Sequence, residues 1–385
     1  MAKFSKMIFV IVIVAIAVGL PLLKWADVMR RCHSHGSFEG EKREILERRN
    51  FLVRRLITSP QNVIDAMPKA VGIQFQGEWA LYSCSMFSAS LVNISHLYPE
   101  TKSDNLRYIG ELIDIVLSPE LRYYDAMRWG EDPLETLAYS NSHISYLSHL
   151  AWMMCGFKEL GGDNRYDTLL DVLCETMNRR ILESPALLLP TYPYENPYIP
   201  DMLVAIVALD KYADLHDGVY RSTVEQWLER AKIDWIDEQT GLLASIVSRY
   251  GTVSGDIKGA YASLNCYYLT FVDEAFACDQ YEKLKSYFWK DGFVAGLKEY
   301  ADQSPLVGFD IDAGPILLGL SPSGTAFATG SATYFDDVDT RKQILRTAEI
   351  AGQTFRFRDT RHYLLANVAL VGEAIMLAMR THAKR

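Results

Sequence analysis

Two tight polar gaps, GGDN at 161–164 and DDVD at 336–339, constrain what this chain can fold into. Each separates segments in which apolar residues recur at steps of three and four, the spacing of one helix face. Gaps this short join only antiparallel neighbours. The same periodicity predicts helices near 41–57, 78–97, 103–117, 135–159, 165–183, 200–214, 221–233, 260–277, 281–298, 322–335, 337–354 and 362–381. Ser103, Asn164 and the pair Ser321-Pro322 supply capping chemistry at three of the starts. Longer connections rich in Pro, Gly and Tyr, at 118–134, 184–199, 234–259 and 299–320, alternate with the short ones. Twelve helices in this rhythm predict an all-α fold, six hairpins closed into an (α/α)6 toroid. Its long loops would gather at one face around a central cavity. No long alternating run predicts a large sheet, although DEQTG before LLASIVS has the turn chemistry of a small hairpin.

The 385 residues, 49% of them hydrophobic, suffice for one large core, so 41–385 is expected to form one domain. A net charge of −9 without a long basic run argues against a nucleic-acid partner. Before the domain, a basic region at 1–6 carrying Lys3 and Lys6 leads into an apolar run at 7–23, then a linker at 24–40. The run lies at the short end of what crosses a bilayer, and no small-residue cleavage site follows it. An uncleaved signal anchor is therefore expected, with the domain on the extracytoplasmic side. The six cysteines, at 32, 84, 155, 174, 266 and 278, contain no C-x₂-C pair, and four or more of them read as buried apolar thiols. CHSH at 32–35 reads as solvated linker.

Four stretches concentrate polar and aromatic groups in apolar surroundings. In FQGEWALYSCSMF (75–87), Glu78 and Trp79 open a helix where the dipole favours a carboxylate. In YYDAMRWGEDPLETLAYSNSHISYLSHL (123–150), Trp129 and Asp132 belong to a loop, and Asn141, His143 and Tyr146 can project to one side of the following helix. His149 falls about 240° around that helix from His143, so the two imidazoles share no face. His143 is the functional candidate and His149 the core residue. The stiff loop PTYPYENPYIP carries Tyr192, Tyr194, Glu195 and Tyr198 into a helix beginning at Asp201. Glu195 and Asp201 could divide acid and base roles, as carboxylates do when burial separates their proton affinities; Asp201 would equally serve as a plain helix cap. In VGFDIDAGPILLGLSPSGTAFATG (307–330), Asp310 and Asp312 alternate on extended chain and point the same way. Two aspartates fall short of a calcium loop, and neither a dinucleotide fingerprint nor a phosphate loop is present. No metal or cofactor is expected.

These four stretches, in this order across most of 70–335, resemble the linalool dehydratase-isomerase family and its bacterial relatives. The resemblance implies an (α/α)6 fold with the active site in the central cavity. It also implies acid–base chemistry by a histidine, an aspartate, a tyrosine and two cysteines, the histidine corresponding to His143. The two thiols would fall in 190–201, which here contains none, and Asp201 occupies the place of the second. Carboxylate and phenol in place of thiols make a more polar site, suited to a hydroxylated substrate rather than a hydrocarbon.

Three functions follow as expectations. The first is a membrane-anchored lyase or isomerase acting on a hydroxylated small molecule, with His143, Asp201, Tyr192 and Glu195 as catalytic candidates. Glu78, Trp79, Trp129, Asp132, Asn141, Tyr146, Tyr194, Tyr198, Asp310 and Asp312 would bind the substrate. The second is a glycan-active hydrolase or lyase on the same fold, using Glu195, Asp201 or Asp310. The third is a non-catalytic binding toroid. Self-association is left open.

Overall fold

The structure, a computed structural model, describes residues 19, 25–27, 37–302 and 304–385. Apart from those first four positions, the expected basic region, anchor and linker up to residue 36 lie outside the described residues. Among the described residues, no helix is long and apolar enough to cross a membrane.

The chain runs through α1 (Phe38–Leu56), a short α2 (Pro60–Asp65), α3 (Ile73–Leu97), α4 (Lys102–Leu117) and α5 (Pro119–Trp129). Next come α6 (Ile144–Glu159), α7 (Asp167–Glu183), α8 (Ile199–Leu215), α9 (Arg221–Asp234), α10 (Gly259–Val272) and α11 (Glu274–Phe288). The last three helices are α12 (Pro322–Tyr334), α13 (Val338–Gly352) and α14 (Leu370–Arg380). Helices α3, α6, α8, α10, α12 and α14 each pack on the next, and the ring closes where α14 meets α3. Inner position and composition agree. Helix α8, IPDMLVAIVALDKYADL, is buried at every residue from Ile199 to Asp210, as a helix apolar on all sides must be. Helix α9 outside it buries only the stripe Thr223, Val224, Trp227, Leu228 and Ala231.

Five inner helices have the outer helix that follows them in sequence as partner. The sixth, α14, is backed by α1 from the other end of the chain. This last seam is ionic. Arg380 bonds Glu41 at 2.8 Å and Glu44 at 2.8 Å, while Arg48 bonds Glu373 at 2.6 Å and Glu349 at 3.2 Å, all of them buried. Every group in such a seam must keep its partner, because an unpaired buried charge costs several kcal/mol.

All six inner helices run the same way, so their N-termini converge on one face, which we call the mouth. The connections that lead into them carry four two-stranded hairpins: β1 (Ile246–Val247) with β2 (Val253–Ser254), β3 (Trp289–Lys290) with β4 (Gly296–Leu297), β5 (Val307–Asp310) with β6 (Gly314–Leu317), and β7 (Thr354–Phe357) with β8 (Thr360–Tyr363). These hairpins account for most departures from the expected helices. The helix expected over 281–298 stops at Phe288, where β3 begins to pair. The one expected from 362 starts at Leu370, because 360–363 pairs with 354–357. The helix expected from 135 starts at Ile144, with His143 held left-handed at φ 48° just before it. Conversely, α5 occupies part of the expected loop 118–134, announced by Ser118 capping and Pro119 at the first turn. The DEQTG turn closes a short bridge between Ile236 and Leu243.

Candidate active site

The site is built at the mouth from the first turns of the inner helices. Gly77 on α3 sets the first approach. A Cβ there would collide with the Cβ of Tyr124 and come within 2.8 Å of its ring, so its absence lets α5 lie against α3 and brings Arg128 beside Glu78. The guanidinium makes a bidentate pair with Glu78 at 3.2 and 3.1 Å and stacks 4.1 Å over the Tyr192 ring. Tyr192 in turn donates its hydroxyl to Glu78 Oε2 at 3.2 Å. Burial raises the proton affinity of Glu78, against the pull of Arg128.

Asp201, in the first turn of α8, is buried and accepts two hydroxyl protons, from Thr191 at 2.5 Å and from Tyr82 at 2.6 Å. Burial is the largest influence on it and raises its proton affinity above the ordinary carboxylate range. The two hydroxyls and Arg128 oppose that shift, and the nearby charge of Asp312 adds to it. A third carboxylate group comes from the β5–β6 turn. Lys258 Nζ holds Asp310 at 2.8 Å and Asp312 at 3.2 Å, just before α10, and Tyr261 donates to Asp312. Behind Lys258, Glu299 accepts from the Ala260 backbone N–H at the α10 N-terminus, and burial pushes its carboxyl up to about 7. The rings of Tyr192, Tyr198 and Tyr261 form a continuous edge-to-face series with 5.8 Å spacings. Tyrosine–carboxylate pairing is the repeated unit of the mouth: Tyr82 with Asp201, Tyr192 with Glu78, Tyr261 with Asp312, and Tyr198 with Glu195 at 3.2 Å.

Among the residues expected from sequence, Glu78, Tyr192, Tyr198, Asp201, Asp310 and Asp312 are brought together here. Glu195 reaches the group only through Tyr198 and is itself exposed, and Tyr194 is 96% exposed beside it. Trp79, next to Glu78, is a half-buried core neighbour. The 123–150 stretch forms a separate layer. His143 is fully buried, with Nδ1 on Asp125 at 2.6 Å and Nε2 on Glu131 at 3.2 Å. Asn141 donates to the same Glu131, and the Trp129 ring lies 5.3 Å from the imidazole. Asp132 pairs with Arg122 at 2.6 Å and caps Leu134, and Tyr146 donates to the Val116 carbonyl at 3.0 Å beneath α4. The turn geometry of 130–143 thus spends these side chains on holding the loop. Around His143 this layer meets the carboxylates through Arg128 next to Trp129.

His149 is the imidazole nearer the acid. Its ring lies 4.4 Å from that of Tyr82, the Asp201 partner, and its Nδ1 bonds Ser85 at 2.7 Å, while Nε2 is buried without a partner. Burial holds its pKa down at about 3, so it is neutral. Sequence reasoning passed over Tyr82, Arg128, Thr191, Lys258 and Tyr261. For Tyr82 the signal was present, since it follows Glu78 by four residues and so shares its helix face.

No family model matches this sequence, and no curated protein matches it. Among solved structures, the fold is similar to that of a glycoside hydrolase from family 105 of C. acetobutylicum ATCC 824, with a TM-score of 0.55 at 11% identity over 78% of this chain and 92% of that one. It is also similar to a polysaccharide lyase, with a TM-score of 0.50 at 11% identity over 84% of this chain and 97% of that one. At this identity the likeness concerns the fold alone.

Proposed function

We propose that the protein is an acid–base enzyme acting on a glycan-type, hydroxyl-rich substrate at the toroid mouth, by hydrolysis or elimination. The observation that carries this reading is Asp201: a buried carboxyl group, oriented by two hydroxyls, whose surroundings favour keeping its proton. Such a group serves as a general acid. Asp201 would protonate the oxygen of the breaking C–O bond, so that the leaving group departs as an alcohol. Asp312, close enough to raise the proton affinity of Asp201, is the candidate base. In hydrolysis it would take a proton from the attacking water, and in elimination from the carbon next to the breaking bond. The tyrosine series beside them offers faces and hydroxyls to sugar rings. The fold likeness to a glycoside hydrolase and a polysaccharide lyase supports the same substrate class.

A second reading keeps the same acid and changes the substrate. The order of the four stretches supports a dehydratase-isomerase-like enzyme, in which Asp201 would protonate the hydroxyl of a smaller alcohol that leaves as water. One experiment separates the two. The full chain and its Asp201→Asn variant are incubated with pooled oligosaccharides and with pooled tertiary and allylic alcohols, and products are read by mass spectrometry. Glycan fragments made only by the parent chain support the first reading. Loss of water from an alcohol, made only by the parent chain, replaces it with the second. Equal product from both chains removes Asp201 from the acid role.

A further inference from the structure

We infer that the rim of the mouth formed by β5–β6 and β7–β8, to one side of the carboxylates, is a docking surface for an anionic lipid bilayer. The large apolar side chains left exposed are distributed unevenly. The connections leading into the inner helices carry most of them, while those at the far face carry few, Leu215 and Val219 among them. The β5–β6 hairpin has two unlike faces. Asp310 and Asp312 turn toward Lys258. On the other face the cross-strand pairs Val307 with Leu317 and Phe309 with Pro315 are all exposed, Val307 at 75% and Phe309 at 70%, with Leu306 and Leu318 beside them. An antiparallel ribbon in water places its polar face outward, so this one faces something other than water. On β7, Phe355 and Phe357 are exposed although their cross-strand partners His362 and Thr360 are buried, and the turn after β8 leaves Leu364, Leu365 and Val368 exposed.

Charge and composition identify the occupant. Around β7–β8 stand Arg54, Arg55, Arg356, Arg358 and Arg361; among the described residues their salt-bridge partners are Asp359, Glu44 and Glu47, the last also held by Arg43, so cations exceed anions there on a chain whose net charge is −9. Tyr139, Tyr194 and Tyr250 stand exposed on the mouth connections into α6, α8 and α10. Apolar tips interleaved with arginine and ringed by tyrosine are the composition of a surface seated at lipid headgroups. A second copy of this chain laid face to face would set arginine clusters against each other.

Because 7–23 can bind vesicles unaided, the test reads the hairpins themselves. The full chain is mixed with vesicles of phosphatidylcholine, or of phosphatidylcholine with phosphatidylglycerol, and hydrogen exchange is followed by mass spectrometry. On the anionic vesicles, exchange in 306–318 and 354–368 should slow at least about threefold while α9 is unchanged. The double variant Phe309→Ser, Phe357→Ser, altered at two largely exposed positions, should lose that slowing. Unchanged exchange at both hairpins overturns the inference. Equal slowing on neutral vesicles overturns its anionic part. Slowing with protein concentration and no vesicles gives the face to a second copy instead.

Discussion

Tyr82 donates its hydroxyl proton to Asp201 Oδ1 at 2.6 Å, from α3 to α8 across the inner ring. A hydrogen bond to the ionised form favours that form, so this contact holds Asp201 below the proton affinity that burial alone would produce. Tyr82→Phe removes it and keeps the ring against His149. The alkaline limb of the pH–rate profile, where an acid must still hold its proton, should move up. A fall in rate at every pH with no movement of the limb would show that Tyr82 acts by packing alone.

Asp201→Asn keeps shape and removes the transferable proton. Activity should fall by about 10²–10⁴-fold, with an unchanged circular dichroism spectrum and a melting temperature no lower than that of the parent, since an amide carries no buried charge.

The two histidines should separate by readout. His143→Ala leaves Asp125 buried without its partner and should cost about 3 kcal/mol in urea denaturation. His149→Ala empties the space behind Tyr82 and should lower kcat more than it lowers stability, because the ring that aims the Asp201 partner loses its support. The reverse pattern would return the functional role to His143.

Glu299 makes stability depend on pH. Its folded carboxyl is raised to about 7 from 4.5, so the folded state binds the proton more tightly. The contribution is complete below about pH 4.5, is lost as pH rises through 7, and amounts to about 3 kcal/mol. Glu299→Gln should flatten that slope and melt higher than the parent at pH 8. A parent chain equally stable at pH 5 and pH 8 would contradict the shift.

Arg48→Met should destabilise the fold by about 3–5 kcal/mol, because Glu373 and Glu349 keep their burial and lose their cation. Chemical denaturation of both chains measures this directly.

The toroid is legible in the sequence because its inner helices are apolar on all sides and its tight gaps fix antiparallel neighbours. The hairpins are less so, since two- to four-residue strands have no period long enough to compete with a helix pattern. In the site, Asp201, Glu78, Tyr192 and the Asp310–Asp312 pair stood out as polar residues at the openings of apolar helices. Arg128 did not, because its role depends on a glycine one residue before Glu78 that brings another helix close. The helical angle between the two histidines does not govern their placement, because His143 lies outside the helix in a left-handed turn.

The ionic seam between α1 and α14 bears on how the chain is made. Glu41 and Arg380 are 339 residues apart, and at about 5–20 residues per second a ribosome needs roughly 20–70 s between them. Throughout that interval α1 has no α14 to rest on. A seam of glutamates and arginines stays hydrated while it waits, where a leucine seam would be a site for aggregation. The costly burial of charge is thereby postponed until the last inner helix emerges, and the ring closes only when both ends of the chain exist.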